Sequence, residues 1–266
     1  MIFNIFNTRF IMSYSYRRSR IEKLLSEKPF VSLAELCEIF PDVTSMTLRR
    51  DLEYFENKGE AIKVRGGARS MKFLTATMED SFTSRINENT NIKEKLAARA
   101  SEYVEAGRSL FFDSGTTVLT MVKYIPESRY SIITTGPNIA MELSKKKSII
   151  VNLVGGMLNK ESLSISGTDA TQYLSGLNID IAFIVPSGIS AESGLTCGNY
   201  AECDVKKLVV SKARKTVVLL DTAKVNRVLP YTFAPLEAID TIICDSPLTG
   251  ELADAAGKAG CNIITV

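Results

Sequence analysis

Apolar residues in this chain keep two different rhythms, and the change between them, at roughly residues 70 to 90, divides what the polypeptide can fold into. Up to residue 70 the spacing is helical. Ile21, Leu24 and Leu25 recur at i, i+3 and i+4, and Leu33, Leu36, Cys37 and Phe40 form a second stripe. Ser32 precedes that stripe with Glu35 three residues on, the spacing of a reciprocal N-terminal cap, and Pro41 ends it. Thr44 or Ser45 caps a third helix whose seam is Leu48, Leu52 and Phe55, closed by Gly59. From Glu60 to Arg65 the period becomes two. Ile62 and Val64 point one way and Lys63 and Arg65 the other, which predicts a half-buried strand with a basic outer face, turned at Gly66 and Gly67. Three short helices and a strand pair make a winged helix-turn-helix pattern.

Beyond residue 90, strands alternate with helices. Strands are expected at 109–112, 130–134, 148–154, 180–185, 216–220, 241–244 and 262–266, and amphipathic helices at 92–106, 138–145, 201–213 and 248–257. Apolar strands separated by helices predict an α/β domain with a doubly wound, largely parallel sheet covered on both faces. The expected organisation is an N-terminal extension at 1–16, a winged helix-turn-helix domain at 17–70, a polar linker at 71–89 and the α/β domain at 90–266. The extension has no basic start, sustained apolar block or small-residue cleavage site, so it does not read as a signal peptide, and Met12 is a candidate start of translation.

Composition removes several chemistries. The chain has 266 residues and no histidine, which excludes Ser-His-Asp and Cys-His pairs, a histidine general base and a HExxH zinc site. Five cysteines without a CxxC pair argue against a disulfide framework or thiolate zinc site and fit a reducing cytoplasm. No apolar run reaches the roughly 18 to 20 residues of a bilayer span. No metal or cofactor is expected. Residues 1–70 carry 12 basic and 9 acidic side chains, against 20 and 21 in the remainder. The excess of cations is at the front.

Stepping about 100° per residue from buried Leu48 turns Met46, Arg50 and Glu53 outward, flanked by Thr47 and Arg49. Arginine can fork onto G O6 and N7, threonine can meet a thymine methyl or a phosphate, and a helix N-terminus favours phosphate oxygens. Asp51 falls on the buried side, where it can orient an arginine. Lys63 and Arg65 would neutralise phosphates from the wing. Alone, Arg49-Arg50-Asp51 also fits a solvated helix face.

In the larger domain FFDSGTT, residues 111–117, follows an expected strand and opens a helix. Gly115 permits close backbone approach, Ser114, Thr116 and Thr117 add hydroxyls beside free amides, and Asp113 can accept a sugar hydroxyl, so the loop suits a phosphate ester. It is also an ordinary capping turn. Other strand exits carry Thr134-Thr135-Gly136, Gly155-Gly156, Ser187-Gly188 and Asp221-Thr222 with Lys224, whose cation suits a phosphate dianion. In an open parallel sheet these exits converge on the ligand edge.

The stretch VSLAELCEIFPDVTSMTLRRDLEYFENKGEAIKVRGGA resembles the N-terminal helix-turn-helix of the DeoR family of bacterial transcription regulators, through Val31, Ser32, Thr47, Leu48, Arg49, Arg50, Asp51, Leu52, Gly66, Gly67 and Ala68. The turn with Pro41 and Asp42 is one residue longer than usual, and Lys63 and Arg65 stand where Arg and His are typical. From about Arg85 to Val266 the chain resembles the sensor domain of the same family, related in fold to ribose-5-phosphate isomerase and glucosamine-6-phosphate deaminase. The matching pieces are Asp113 to Thr117, Gly155-Gly156, Gly188, Gly194-Leu195-Thr196 and Asp221 to Lys224, with Thr135 where Asn is usual. The resemblance implies a phosphorylated sugar or related metabolite as effector.

The residues and the resemblance together imply a cytoplasmic DNA-binding regulator, a repressor of sugar metabolism genes, acting as a homodimer or homotetramer on double-stranded operator DNA. Thr44, Ser45, Met46, Thr47, Arg49, Arg50, Lys63 and Arg65 are the candidate DNA contacts. Asp113, Ser114, Gly115, Thr116, Thr117, Thr135, Gly155, Gly156, Gly188 and Lys224 are the candidate effector contacts. The alternative is a sugar-phosphate isomerase or deaminase carrying a DNA-binding module, with Asp113, Glu202 and Asp221 as acid or base groups.

Overall fold

The computed structural model describes residues 3–28, 30–71 and 80–266. The chain divides into two compact units, Met1–Met78 and Glu79–Val266.

Among the described residues the first unit is built on three helices and a small sheet. Helix α1 (Phe3–Glu27) runs through residue 16 without a break, so the extension expected at 1–16 is continuous with the first helix. Strand β1 (Phe30–Ser32), helix α2 (Leu33–Ile39), helix α3 (Ser45–Asn57), and strands β2 (Ala61–Val64) and β3 (Gly67–Ser70) follow. The Ser32 hydroxyl caps α2 by accepting from the Glu35 amide at 3.0 Å, while the Glu35 carboxylate pairs with Lys28. Thr44 is the cap of α3, accepting from the Thr47 amide at 3.3 Å. The unit's core is one cluster, Ile21, Leu24, Leu25, Val31, Leu36, Leu48, Leu52, Phe55, Ala61 and Ala68.

The sheet order is β1-β3-β2, antiparallel throughout. The first strand went unread because three residues are too few to show a period. It approaches β3 so closely that a Cβ on Gly67 would lie 2.2 Å from the Val31 carbonyl oxygen. The wing also departs from expectation. Only Ala61 of β2 is buried; Ile62 and Val64 are 44% and 39% exposed. The small core reaches Ala61 and Ala68 and no further along β2, so the rest of that strand faces water on both sides.

The second unit opens with helix α4 (Phe82–Asn87), capped by Ser81 and anchored by buried Phe82. The expected linker therefore gives way to structure at Phe82; its residues 72–79 lie outside those described. Helix α5 (Thr90–Ser101), strand β4 (Ser109–Phe112), helix α6 (Thr116–Met121), strand β5 (Tyr130–Thr134), helix α7 (Pro137–Leu143) and strand β6 (Ile149–Leu153) follow. After the hairpin β7 (Met157–Asn159) and β8 (Ser164–Ser166) come helix α8 (Thr168–Ser175) and strand β9 (Ile179–Ile184). Strands β10 (Gly188–Ser190) and β11 (Gly194–Cys197), helix α9 (Tyr200–Lys212), strands β12 (Ala213–Leu220), β13 (Tyr231–Ala234) and β14 (Thr241–Cys244), helix α10 (Gly250–Lys258) and strand β15 (Asn262–Thr265) complete it.

All seven strands read from the sequence lie in one sheet of order β15-β14-β12-β9-β4-β5-β6, every pair parallel. Alternation along each strand sends side chains to opposite faces. Phe111, Ala182, Val218 and Ile242 pack with Leu174 of α8, Val209 of α9 and Leu252 of α10. Leu110, Phe112, Phe183 and Leu219 pack with Leu96 of α5, Met121 of α6 and Ile139 of α7 on the other face. The sheet is therefore doubly wound. Its first strand, β4, is interior: the chain lays β5 and β6 to one side and then crosses to β9 on the other. That reversal makes the carboxyl ends of β4 and β9 the topological switch point, the place where open α/β sheets take their ligands.

Candidate functional site

In the first unit, α3 turns Leu48, Asp51, Leu52 and Phe55 inward and leaves Ser45, Met46, Arg49, Arg50 and Glu53 exposed. Met46 is 62% exposed. Among the described residues no carboxylate holds Arg49 or Arg50. Asp51 does orient arginine, but from α1: its buried carboxylate accepts from Arg17 Nε and, at 3.1 Å, from Arg18 Nε, and the Arg18 guanidinium lies 3.8 and 3.5 Å from the Tyr14 and Tyr54 ring centres. A cleft of about 290 Å³ between α3 and the wing is lined by Arg49, Lys63 and Arg65 together with Gly66 and Gly67. Lys63 lies 3.5 and 3.8 Å from Glu53 and Glu56. Such exposed pairs are weak, on the order of 0.2 to 1 kcal/mol, and yield readily to a phosphate. Thr44 and Thr47 are joined through their hydroxyls at 3.0 Å at the start of α3.

In the second unit the switch point is organised by Asp113, the first residue past β4. Its Oδ1 accepts from the Ser114 amide at 3.0 Å, and its Oδ2 accepts from the Val185 amide at 2.9 Å and from Lys206 Nζ of α9. Lys206 also donates to the Val185 carbonyl at 2.9 Å. Burial is the largest single influence on the Lys206 ammonium and works against it, but the charge and hydrogen bond of Asp113 together with Cys197 and Glu202 outweigh it, and the amine titrates above an ordinary lysine. Asp113, expected to accept a sugar hydroxyl, is thus occupied by protein donors and holds its loop across the switch point. Lys206 went unread, although its place between Glu202 and Val209–Val210 puts it on the buried face of α9.

That loop sets Ser114, Gly115, Thr116 and Thr117 at the head of α6, all buried, where no side chain caps the helix. A Cβ on Gly115 would lie 3.0 Å from Val185 Cβ. At the exit of β5, buried Thr135 accepts from the Ile165 amide at 2.8 Å, and a Cβ on Gly136 would lie 3.2 Å from Ser114 Cα. Lys224 donates to the Pro186 carbonyl at 2.8 Å, beside the exit of β9. The fold thus brings 113–117, Thr135 and Lys224 to one edge. Gly155 and Gly156 follow β6 and are exposed, with Gly156 passing close to the Ser166 carbonyl. Gly188 belongs to β10, and its bareness answers to backbone: a Cβ there would stand 2.1 Å from the Arg227 oxygen.

The other two carboxylates of the enzymatic alternative are also engaged. Glu202 accepts from Ser162, from Ser164 at 2.5 Å and from Asn159 at 3.2 Å. Asp221 accepts from Asn89 at 2.7 Å and from the Ala223 amide at 3.0 Å. Among the described residues no cluster of acidic and cysteine side chains could hold a metal ion, and no helix is long and apolar enough to cross a membrane.

A recognition helix with exposed arginines beside a wing, in one chain with a doubly wound sensor sheet, makes this a DNA-binding transcriptional regulator. The chain belongs to the DeoR family. Its DeoR-like helix-turn-helix domain is matched over residues 17–73 and its DeoR C terminal sensor domain over residues 88–246. It is 30% identical to the HTH-type transcriptional regulator GlpR of Haloferax volcanii, over 93% of this chain and 96% of that protein. The HTH-type transcriptional regulator GolR of Listeria innocua is 31% identical over 92% and 95%, and the putative aga operon transcriptional repressor of Escherichia coli O157:H7 is 28% identical over 95% and 94%. Among solved structures, ribose 5-phosphate isomerase A of Methanocaldococcus jannaschii aligns with a TM-score of 0.39 and 19% identity over 53% of this chain and 56% of that one.

Proposed function

We propose that the chain is a cytoplasmic repressor of sugar metabolism genes whose grip on operator DNA is controlled by a phosphorylated sugar. The observation that carries the effector reading is the uncapped, buried head of α6 held beside Val185 by Asp113 and Lys206, with the Lys224 ammonium close to the exit of β9. Free amides and one nearby cation are what a phosphate dianion needs. Relatives named as a putative aga operon transcriptional repressor and as the transcriptional repressor GlcR support the sign. On the DNA side, Arg49 and Arg50 meet base edges or phosphates, Thr44, Ser45, Met46 and Thr47 line the start of the helix, and Lys63 and Arg65 hold backbone phosphates.

A homodimer or homotetramer presents paired helices to repeated half-sites. The metabolite acts through unequal affinity for two arrangements of the protein, since equal affinity would shift nothing. A footprint over the protein's own promoter, repeated with a panel of sugar phosphates, tests this. Protection lifted by one compound is the expected result, and protection indifferent to all of them refutes effector control.

A further inference from the structure

Asn138, in the first turn of α7, has both polar atoms of its carboxamide buried with no protein partner. Among the described residues it is the one side chain left in that state at both ends. A buried donor and acceptor without partners are costly, and native chains keep few of them. The carboxamide is also well placed. A Cβ on Gly136 would stand 3.2 Å from Asn138 Oδ1 and 3.2 Å from Ser114 Cα, so the amide lies where the exits of β4 and β5 meet. A side chain at position 136 would crowd that junction.

We infer that Asn138 is a specificity residue that binds a vicinal pair of hydroxyls on the effector, donating through Nδ2 to one and accepting through Oδ1 from the other; this rests on the effector reading above. The dianion of a phosphate ester only accepts, so it would leave Oδ1 unpaired. A hydroxyl can do either. The phosphate end therefore belongs to the head of α6 and the polyol end to Asn138. A site built around such a group rejects ligands that lack the matching hydroxyl.

The test measures binding of ribose 5-phosphate, glucose 6-phosphate, fructose 6-phosphate, their available 2-deoxy analogues and inorganic phosphate to the full chain and to its Asn138→Leu and Asn138→Ala variants. The expected result is that a sugar phosphate bound by the parent binds each variant about ten- to hundredfold more weakly. Inorganic phosphate should change by less than about twofold, because it does not reach the carboxamide. Without ligand, Asn138→Leu should melt no lower than the parent. Undiminished sugar-phosphate binding in both variants overturns the inference and leaves effector control standing. So does equal loss of inorganic phosphate, or a low melting temperature of both variants, which would mark the carboxamide as structural. Should no sugar phosphate bind the parent, the effector reading falls and takes this inference with it.

Discussion

Lys206 and Asp113 are 93 residues apart in sequence and share one buried ion pair. A buried charge without its partner costs several kcal/mol, so each of the two holds the other in place. Lys206→Met should destabilise the second unit by about 3 to 5 kcal/mol, measured as a fall in the midpoint of urea denaturation. The pH dependence has a definite sign. The folded Lys206 pKa lies above the unfolded one, so the pair's contribution is complete below the unfolded lysine value of about 10.4 and fades as pH rises through the folded value. Relative to Lys206→Met, the parent should lose stability faster above that pH. Equal alkaline slopes would contradict the assignment. The same pair explains why Asp113 looked like a ligand group in the sequence: a carboxylate at a strand exit has the same local signature whether it meets a sugar or a lysine from a distant helix.

At the level of elements, the wing depends on close backbone passage. Strand β3 leaves no room for a side chain at Gly67, where a Cβ would meet the Val31 oxygen at 2.2 Å. Gly67→Ala should separate β1 from β3, cost more than about 1 kcal/mol, and weaken DNA binding by displacing Arg65. Thr44→Ala removes the cap of α3 and should cost about 1 kcal/mol with a smaller effect on the wing. Comparing the two variants by thermal melting and by DNA affinity separates cap from wing. The strands of the parallel sheet were readable because burial on both faces writes a nearly continuous apolar run, as in Ser109–Phe112 and Thr241–Cys244. The short hairpin β7–β8 and the strands β10, β11 and β13 were not, because three or four residues interrupted by Asn, Gly, Ser or Thr leave no continuous apolar run. Strand β2 misled in the opposite sense: Ile62 and Val64 alternate like core residues, but both are exposed.

For the whole molecule the expectations concern charge and coupling. Binding to operator DNA should weaken steeply with salt, since each phosphate contact releases counterions. Arg65→Ala should lower affinity similarly on all sequences and reduce the salt slope by about one. Arg50→Ala should cost about 1 to 3 kcal/mol and relax preference at one base position. Titrations at several salt concentrations, on operator and on unrelated duplex, check both. If Arg50→Ala lost affinity equally on the two duplexes, Arg50 would be a phosphate contact instead.

Local spacing alone was enough to place the winged helix, the seven strands of the parallel sheet and the outward face of α3, because each of these is a periodicity that neighbouring residues impose on one another. It was also enough to carry the family's motifs. Which strand stands at the centre, which carboxylate meets which cation, and which polar side chain is left without a partner depend on contacts between residues far apart in the chain. Closing the sheet at β4 and β9 turned Asp113 inward to Lys206 and left the carboxamide of Asn138 buried and unpaired. Desolvation acts on a group only once its distant neighbours have covered it, so no stretch of local sequence could announce either result.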